Sequence, residues 1–262
     1  MRRRFRVFLA ATTGQRNNDG MTPSDSRHRP LPSGITREVL ERDELRQALA
    51  TAHPGVEMVS DAQMQRSIHT MLAQRPANAD LDAGAWVFGY GSLLWNPCVP
   101  VAEWLDVLLY GFHRDFRIRL THGRGSAEAP GLMLGLVPGG SCRGMALRLP
   151  PDDVEHELLM IWRREMLTGV YTPRWVTLYD RAGASLPAMT FVANAEHDSF
   201  CRRLEDATVI EMLATGHGMI GSAAEYLNST VAHLDEQGIH DRRLRTLRAR
   251  VNAAVAERRA AD

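Results

Sequence analysis

Two kinds of apolar pattern run along the chain, and each predicts a different element. Between residues 36 and 50, Leu40, Leu45, Ala48 and Leu49 can share one helical face, and His53-Pro54 breaks the run. A second helical pattern covers 60–74. Trp86-Val87-Phe88 is a short continuous apolar run that ends in Gly-Tyr-Gly, which predicts a buried strand entering a turn. Further strands are expected at 107–121, 131–137, 143–149, 174–180 and 186–193, punctuated by Gly123, Gly125, Pro130-Gly131, Pro138-Gly139-Gly140 and Pro150-Pro151. Asp152 followed by Glu155 predicts a helix start after the two prolines, with the helix running to about Leu167 and ending before Gly169. Ser222-Ala-Ala-Glu225 is a capping box that opens a helix striped by Leu227, Val231 and Leu234 and stopped by Gly238. Asp241 opens a last helix with Leu244, Leu247, Val251 and Val255 on one side. Strands come mostly first and helices mostly later, so the order predicts an α+β fold. The expected organisation is a polar tail at 1–35, a helical extension at 36–80, and one domain from 81 to 262.

Composition narrows the class. Of 262 residues, 31 are Lys or Arg and 31 are Asp or Glu, and apolar residues make up 44%. Such balance is that of a globular protein and lacks the basic excess expected of a nucleic-acid binder. No run approaches the roughly 20 apolar residues a membrane span requires. The apolar run Val7–Ala11 after the N-terminal arginines is too short for a secretory signal. The three cysteines, Cys98, Cys142 and Cys201, are widely spaced with no CxxC pair. Free thiols in a reducing cytoplasm are expected. No HExxH or paired ligand spacing marks a metal site, and no cofactor is expected.

Two segments carry candidate chemistry. In Val87-Phe88-Gly89-Tyr90-Gly91-Ser92-Leu93 a strand meets two glycines flanking a tyrosine. Glycine lets backbone approach a ligand or adopt positive φ, and successive amides in such a turn form an anion-binding nest. The pattern is not a dinucleotide fingerprint, because position 94 is Leu, nor a serine-hydrolase elbow, because Tyr90 stands where a glycine is required. A plain buried strand and turn is the alternative. The helix after Pro151 is the second segment. Val154, Leu158, Ile161 and Trp162 form its apolar face, and Glu165 lies about 20° from Val154 on the wheel. Arg163 and Arg164 are expected to turn away from the centre of that face. A carboxylate on an apolar face is held near neutrality by burial, which suits proton transfer. The alternative is a frayed helix end with Glu165 solvated or paired with an arginine. Two weaker candidates are the loop His122-Gly123-Arg124-Gly125-Ser126, and the glycine-rich approach to the Ser222 cap, where His217, Gly218 and Gly221 lead to Tyr226 and a helix N-terminus favours anions.

Taken in order, VFGYGSLLWNP (87–97), GFHRDFRIRLTHGRGSAEAPGLMLGL (111–136), RGMALRLP (143–150), WRREMLTGVYTPRWVTL (162–178) and HGMIGSAAEYLNSTVAHLDEQGIHD (217–241) resemble the ChaC family of γ-glutamylcyclotransferases. The resemblance implies a small mixed β-barrel flanked by helices. It also implies cleavage of glutathione to 5-oxoproline and cysteinylglycine without metal or cofactor. Glu165 would be the acid–base, 87–93 the substrate loop, and Arg124 and Tyr226 further substrate contacts. Alternatives left open are cyclotransfer on other γ-glutamyl amino acids or amines, and a non-catalytic protein regulating transport.

Overall fold

The computed structural model describes residues 35–261; the tail expected at 1–35 lies outside the described residues apart from Ile35. Three helices come first: α1 (Arg37–Glu41), α2 (Glu44–Ala52) and α3 (Asp61–Ala73). The single helix expected at 36–50 is divided at Arg42-Asp43, where Asp43 takes a left-handed φ of 55°. Ser60 and Gln63 close a reciprocal capping box at the start of α3.

Five strands form a closed barrel in the order β1-β3-β2-β4-β5: β1 (Trp86–Gly89), β2 (Glu103–Leu120), β3 (Gly131–Arg148), β4 (Tyr171–Asp180) and β5 (Ser185–Ala193). Closure is made by parallel pairing of β5 with β1, at Val87 opposite Met189, and with β3, at Leu136 opposite Val192. The other ladders are antiparallel, so the barrel is mixed.

The two strands expected at 131–137 and 143–149 are one. Pro138-Gly139-Gly140 does not end β3, because the partner strand β2 is irregular at the same height. The β2–β3 register shifts between Tyr110 and Phe112, and Gly111, Gly139 and Gly140 all take positive φ. The irregularity lets both strands continue past a proline.

Helix α4 (Val154–Glu165) joins β3 to β4. Its N-cap is Asp153, which accepts from His156 N–H; a 3₁₀ turn over Pro151–Asp153 moves the cap one residue beyond the expected Asp152. Helix α5 (Asp206–Thr215) was not expected, and a two-residue hairpin, β6 (His217–Gly218) and β7 (Gly221–Ser222), leads into α6 (Ala223–Glu236) and α7 (Arg242–Ala261).

Two apolar clusters hold the fold. One joins Leu40, Leu45, Leu49, Met64 and Ile68 of the first three helices to Leu158, Ile161 and Trp162 of α4 and to Val87 and Phe191 of the barrel. The other joins Leu132, Leu134 and Leu147 of the barrel to Leu213, Leu227, Val231 and Val251 of the last three helices. The helices before residue 80 therefore share a core with the barrel.

Candidate active site

Glu165 is the last residue of α4, and its chain neighbour Met166 caps the helix. The apolar face formed by Leu158, Ile161 and Trp162 is fully buried, and it carries the Glu165 side chain inward to 13% exposure. Burial pushes its carboxyl above the ordinary glutamate range, and Arg164 opposes this by charge and by a hydrogen bond. A carboxylate at a helix C-terminus also faces the negative end of the helix dipole, which acts in the same direction as burial. Arg164 does not turn away as the helical wheel implied. Its Nε donates to Glu165 Oε1 at 2.9 Å, and the side chain is only 5% exposed. At the end of a helix no following turn fixes the long arginine side chain, so it folds back on its neighbour.

The Tyr90–Leu93 turn stands across from this carboxylate. Gly91 precedes a short 3₁₀ turn, Ser92–Leu94, whose internal bonds begin with Leu94 N–H donating to Gly91 C=O at 3.0 Å. Gly89 and Gly91 do not use positive φ; what marks both is close approach. A Cβ on Gly91 would lie 3.1 Å from Tyr226 Oη, and one on Gly89 would press on Leu147 and Leu93 at 3.1 and 3.3 Å.

Three tyrosines surround the pair. Tyr90 Oη donates to Phe191 C=O at 2.8 Å, and Tyr171 Oη donates to Leu134 C=O at 2.6 Å. Tyr226, on α6, packs edge-on against Phe116, and the Arg124 guanidinium lies 5.4 Å from its ring centroid. Burial first, and the charge of Glu165 among the further causes, raises all three phenols, so they remain neutral. Tyr90 and Tyr171 give their hydroxyl protons to backbone carbonyls, so these phenols surround the carboxylate without adding a competing anion.

Two adjoining cavities open here. The smaller is lined by Tyr90, Gly91, Ser92, Leu93, Leu134, Glu165, Tyr171, Phe191 and Tyr226. The larger, about 120 Å³, shares Ser92, Glu165, Tyr171 and Tyr226 and adds Arg124, Arg164 and His122. Burial lowers both the Arg124 and the His122 values, so His122 is a neutral imidazole at neutral pH.

Of the residues expected from sequence, Tyr90, Gly91, Ser92, Leu93, Arg124, Glu165 and Tyr226 thus come together around the cavities. Val87 and Phe88 are fully buried and line neither; Gly89 lines neither, and its C=O lies 2.4 Å from where a Cβ on Gly144 would stand. The N-terminus of α6 is filled by its own cap: Ser222 and Glu225 bond reciprocally, and Arg124 Nη1 donates to Ser222 C=O at 3.2 Å. Gly218 serves close packing, since a Cβ there would meet Gly123 C=O at 2.3 Å. Sequence reasoning missed Tyr171 and Arg164. The signal for Tyr171 was its place at the start of a strand directly after the Glu165 helix and Gly169. Among the described residues no three His, Cys, Asp or Glu side chains gather as metal ligands, and no helix is long and apolar enough to cross a membrane.

The family model described as ChaC-like protein matches residues 85–254, which include every cavity residue named so far. The chain belongs to the ChaC-like family. Among ChaC-like relatives, the glutathione-specific gamma-glutamylcyclotransferase of Escherichia coli (strain K12) is 35% identical over 223 residues, covering 85% of this chain and 94% of that protein. The Homo sapiens glutathione-specific gamma-glutamylcyclotransferase 1 is 28% identical over 162 residues, covering 60% of this chain and 73% of that one. A crystal structure of a yeast gamma-glutamyl cyclotransferase specific to glutathione has the same fold, with a TM-score of 0.60 at 21% identity over 65% of this chain and 96% of that one.

Proposed function

We propose that this ChaC-like chain is a glutathione-specific γ-glutamylcyclotransferase and that Glu165 is its acid–base. The observation that carries the reading is the position of Glu165: a buried carboxyl with raised proton affinity, lining both cavities beside the Tyr90–Leu93 turn. The 35% identity to the Escherichia coli enzyme over most of both chains supports the substrate.

The reaction needs no external nucleophile. The α-amine of the γ-glutamyl group attacks its own γ-carbonyl carbon, closing a five-membered ring while the bond to the cysteinyl nitrogen breaks. Holding the two ends of one substrate in register supplies much of the rate. The attacking amine, ordinarily protonated at neutral pH, must lose protons, and the leaving nitrogen must gain them. In this reading the Glu165 carboxylate takes the two protons from the attacking nitrogen one at a time and hands each to the leaving nitrogen, ending the cycle as it began. Its raised affinity brings it closer to the pH at which both transfers occur. Tyr90 and Tyr171 are rigid walls, since backbone carbonyls fix their hydroxyls. The amides of the Gly91–Leu93 turn are assigned to the α-carboxylate of the γ-glutamyl group, with Arg124 and Arg164 supplying positive charge in the adjoining larger cavity.

Incubation of the purified protein with reduced glutathione should release 5-oxoproline and cysteinylglycine in equal amounts. Release of glutamate in place of 5-oxoproline would reject cyclisation, since water would then be the nucleophile. No turnover of any γ-glutamyl peptide would favour the transport-regulatory alternative.

A further inference from the structure

Ile35 and helix α2 precede the region matched to the family, residues 85–254, yet they reach the site. Ile35, Leu45 and Leu49 line the larger cavity together with Met133, Val170 and Ile220. Leu45 and Leu49 stand one turn apart on the same face of α2, each 4% exposed. None of the three lines the smaller cleft. The residues shared by both cavities, Ser92, Glu165, Tyr171 and Tyr226, lie around the carboxyl and the turn to which the γ-glutamyl group is assigned. The extension therefore faces whatever lies beyond that group, which is the leaving part of the substrate.

This wall is tied to the elements that carry the chemistry. Asn96 Nδ2, shortly after the substrate turn, donates to Ile35 C=O at 2.7 Å, and Cys98 Sγ lies 3.4 Å from the same oxygen. Arg37 forms a two-pronged ion pair with Glu157 of α4 at 2.7 and 2.9 Å, and Arg163 Nη1 donates to Leu40 C=O at 2.8 Å. The wall is thus held in register with Glu165 from both sides.

Resting on the proposed cyclotransferase reading, we infer that Ile35 and the Leu45/Leu49 face of α2 are specificity determinants, selecting γ-glutamyl peptides whose next residue bears a compact apolar side chain. Cysteine is one such residue. A cationic side chain there would lose its water against Ile35, Leu45 and Leu49 and meet the positive charge of Arg124 and Arg164 in the same cavity. A missing side chain would leave part of the wall without contact. The wall reads size and polarity rather than sulfur, so γ-glutamyl-2-aminobutyryl-glycine, with a methyl in place of the thiol, is a substrate of similar quality.

The test measures 5-oxoproline release from glutathione, the 2-aminobutyryl analogue, γ-Glu-Gly-Gly and γ-Glu-Lys-Gly, for the wild type, Ile35→Ala and Leu49→Ala. For the wild type, kcat/KM should be within about 5-fold for the first two and lower by roughly 10-fold or more for the last two, the scale of discrimination an apolar pocket achieves. Ile35→Ala and Leu49→Ala should lower kcat/KM for glutathione about 10-fold while changing γ-Glu-Gly-Gly less than about 2-fold. Ile35 is only half-buried, so its variant reports even where Leu49→Ala fails to fold. Equal losses on glutathione and γ-Glu-Gly-Gly, or no loss on either, would overturn the wall while leaving the cyclotransferase intact. A wild type that releases 5-oxoproline from none of the four would overturn both.

Discussion

Arg164 and Glu165 are neighbours in the chain and partners in space, Nε to Oε1 at 2.9 Å, with both side chains nearly excluded from solvent. Burial raises the proton affinity of the carboxyl and the arginine draws it back. The pair therefore sets where on the pH scale Glu165 can exchange protons. Arg164→Met removes the opposing influence. The acid limb of kcat/KM, where a base must be deprotonated, should move to higher pH in this variant, and a pH–rate profile reads the shift directly. An unmoved acid limb would separate Arg164 from the proton transfer. The stability consequence has a fixed sign. The folded-state value lies above the unfolded value near 4.5, so this group favours the folded state below about 4.5 and the contribution is lost as pH rises through the folded value. In Arg164→Met the loss should extend to higher pH, visible as a steeper fall in urea midpoint between acid and neutral conditions.

Gly91 packs closely against Tyr226. A Cβ there lies 3.1 Å from the tyrosine hydroxyl, and valine adds two methyl groups to that space. Gly91→Val should lower kcat/KM by roughly 10- to 100-fold, since displacement of about 1 Å at a reacting centre has that effect. The thermal midpoint should stay within a few degrees. Unchanged kinetics would remove the turn from the site.

The extension is anchored by Arg37 to Glu157, whose side chain is 9% exposed against 31% for the arginine. Arg37→Met leaves Glu157 without its partner. Breaking a fully buried pair costs about 3–5 kcal/mol; discounted for the exposure of Arg37, the expected loss is ~1–3 kcal/mol, measurable by urea denaturation. The double variant Arg37→Met/Glu157→Leu should recover part of it.

Much of the site was legible because it rests on local rules. The 3.6-residue period puts Glu165 on the face of Leu158, Ile161 and Trp162, and two glycines around Tyr90 announce close backbone approach. What the period does not encode is the reach of a side chain at a helix end, which is why Arg164 was placed on the wrong side. Helix α5 lacks a side-chain N-cap bond, so its start carries no capping signal. The fusion of two expected strands into β3 depends on an irregularity shared with β2, and barrel closure depends on parallel pairs between residues far apart in the chain, Val87 with Met189 and Leu136 with Val192. Contacts of that separation leave no periodicity in the sequence.

The central claim is that one buried carboxyl moves the protons of an intramolecular cyclisation. Glu165→Gln keeps the shape and a hydrogen-bond acceptor for Arg164 while removing the exchangeable proton. With reduced glutathione as substrate, 5-oxoproline release by Glu165→Gln should fall by about 10³-fold, with circular dichroism and thermal midpoint showing a folded protein. Turnover within a few-fold of the wild type in that variant would contradict the account.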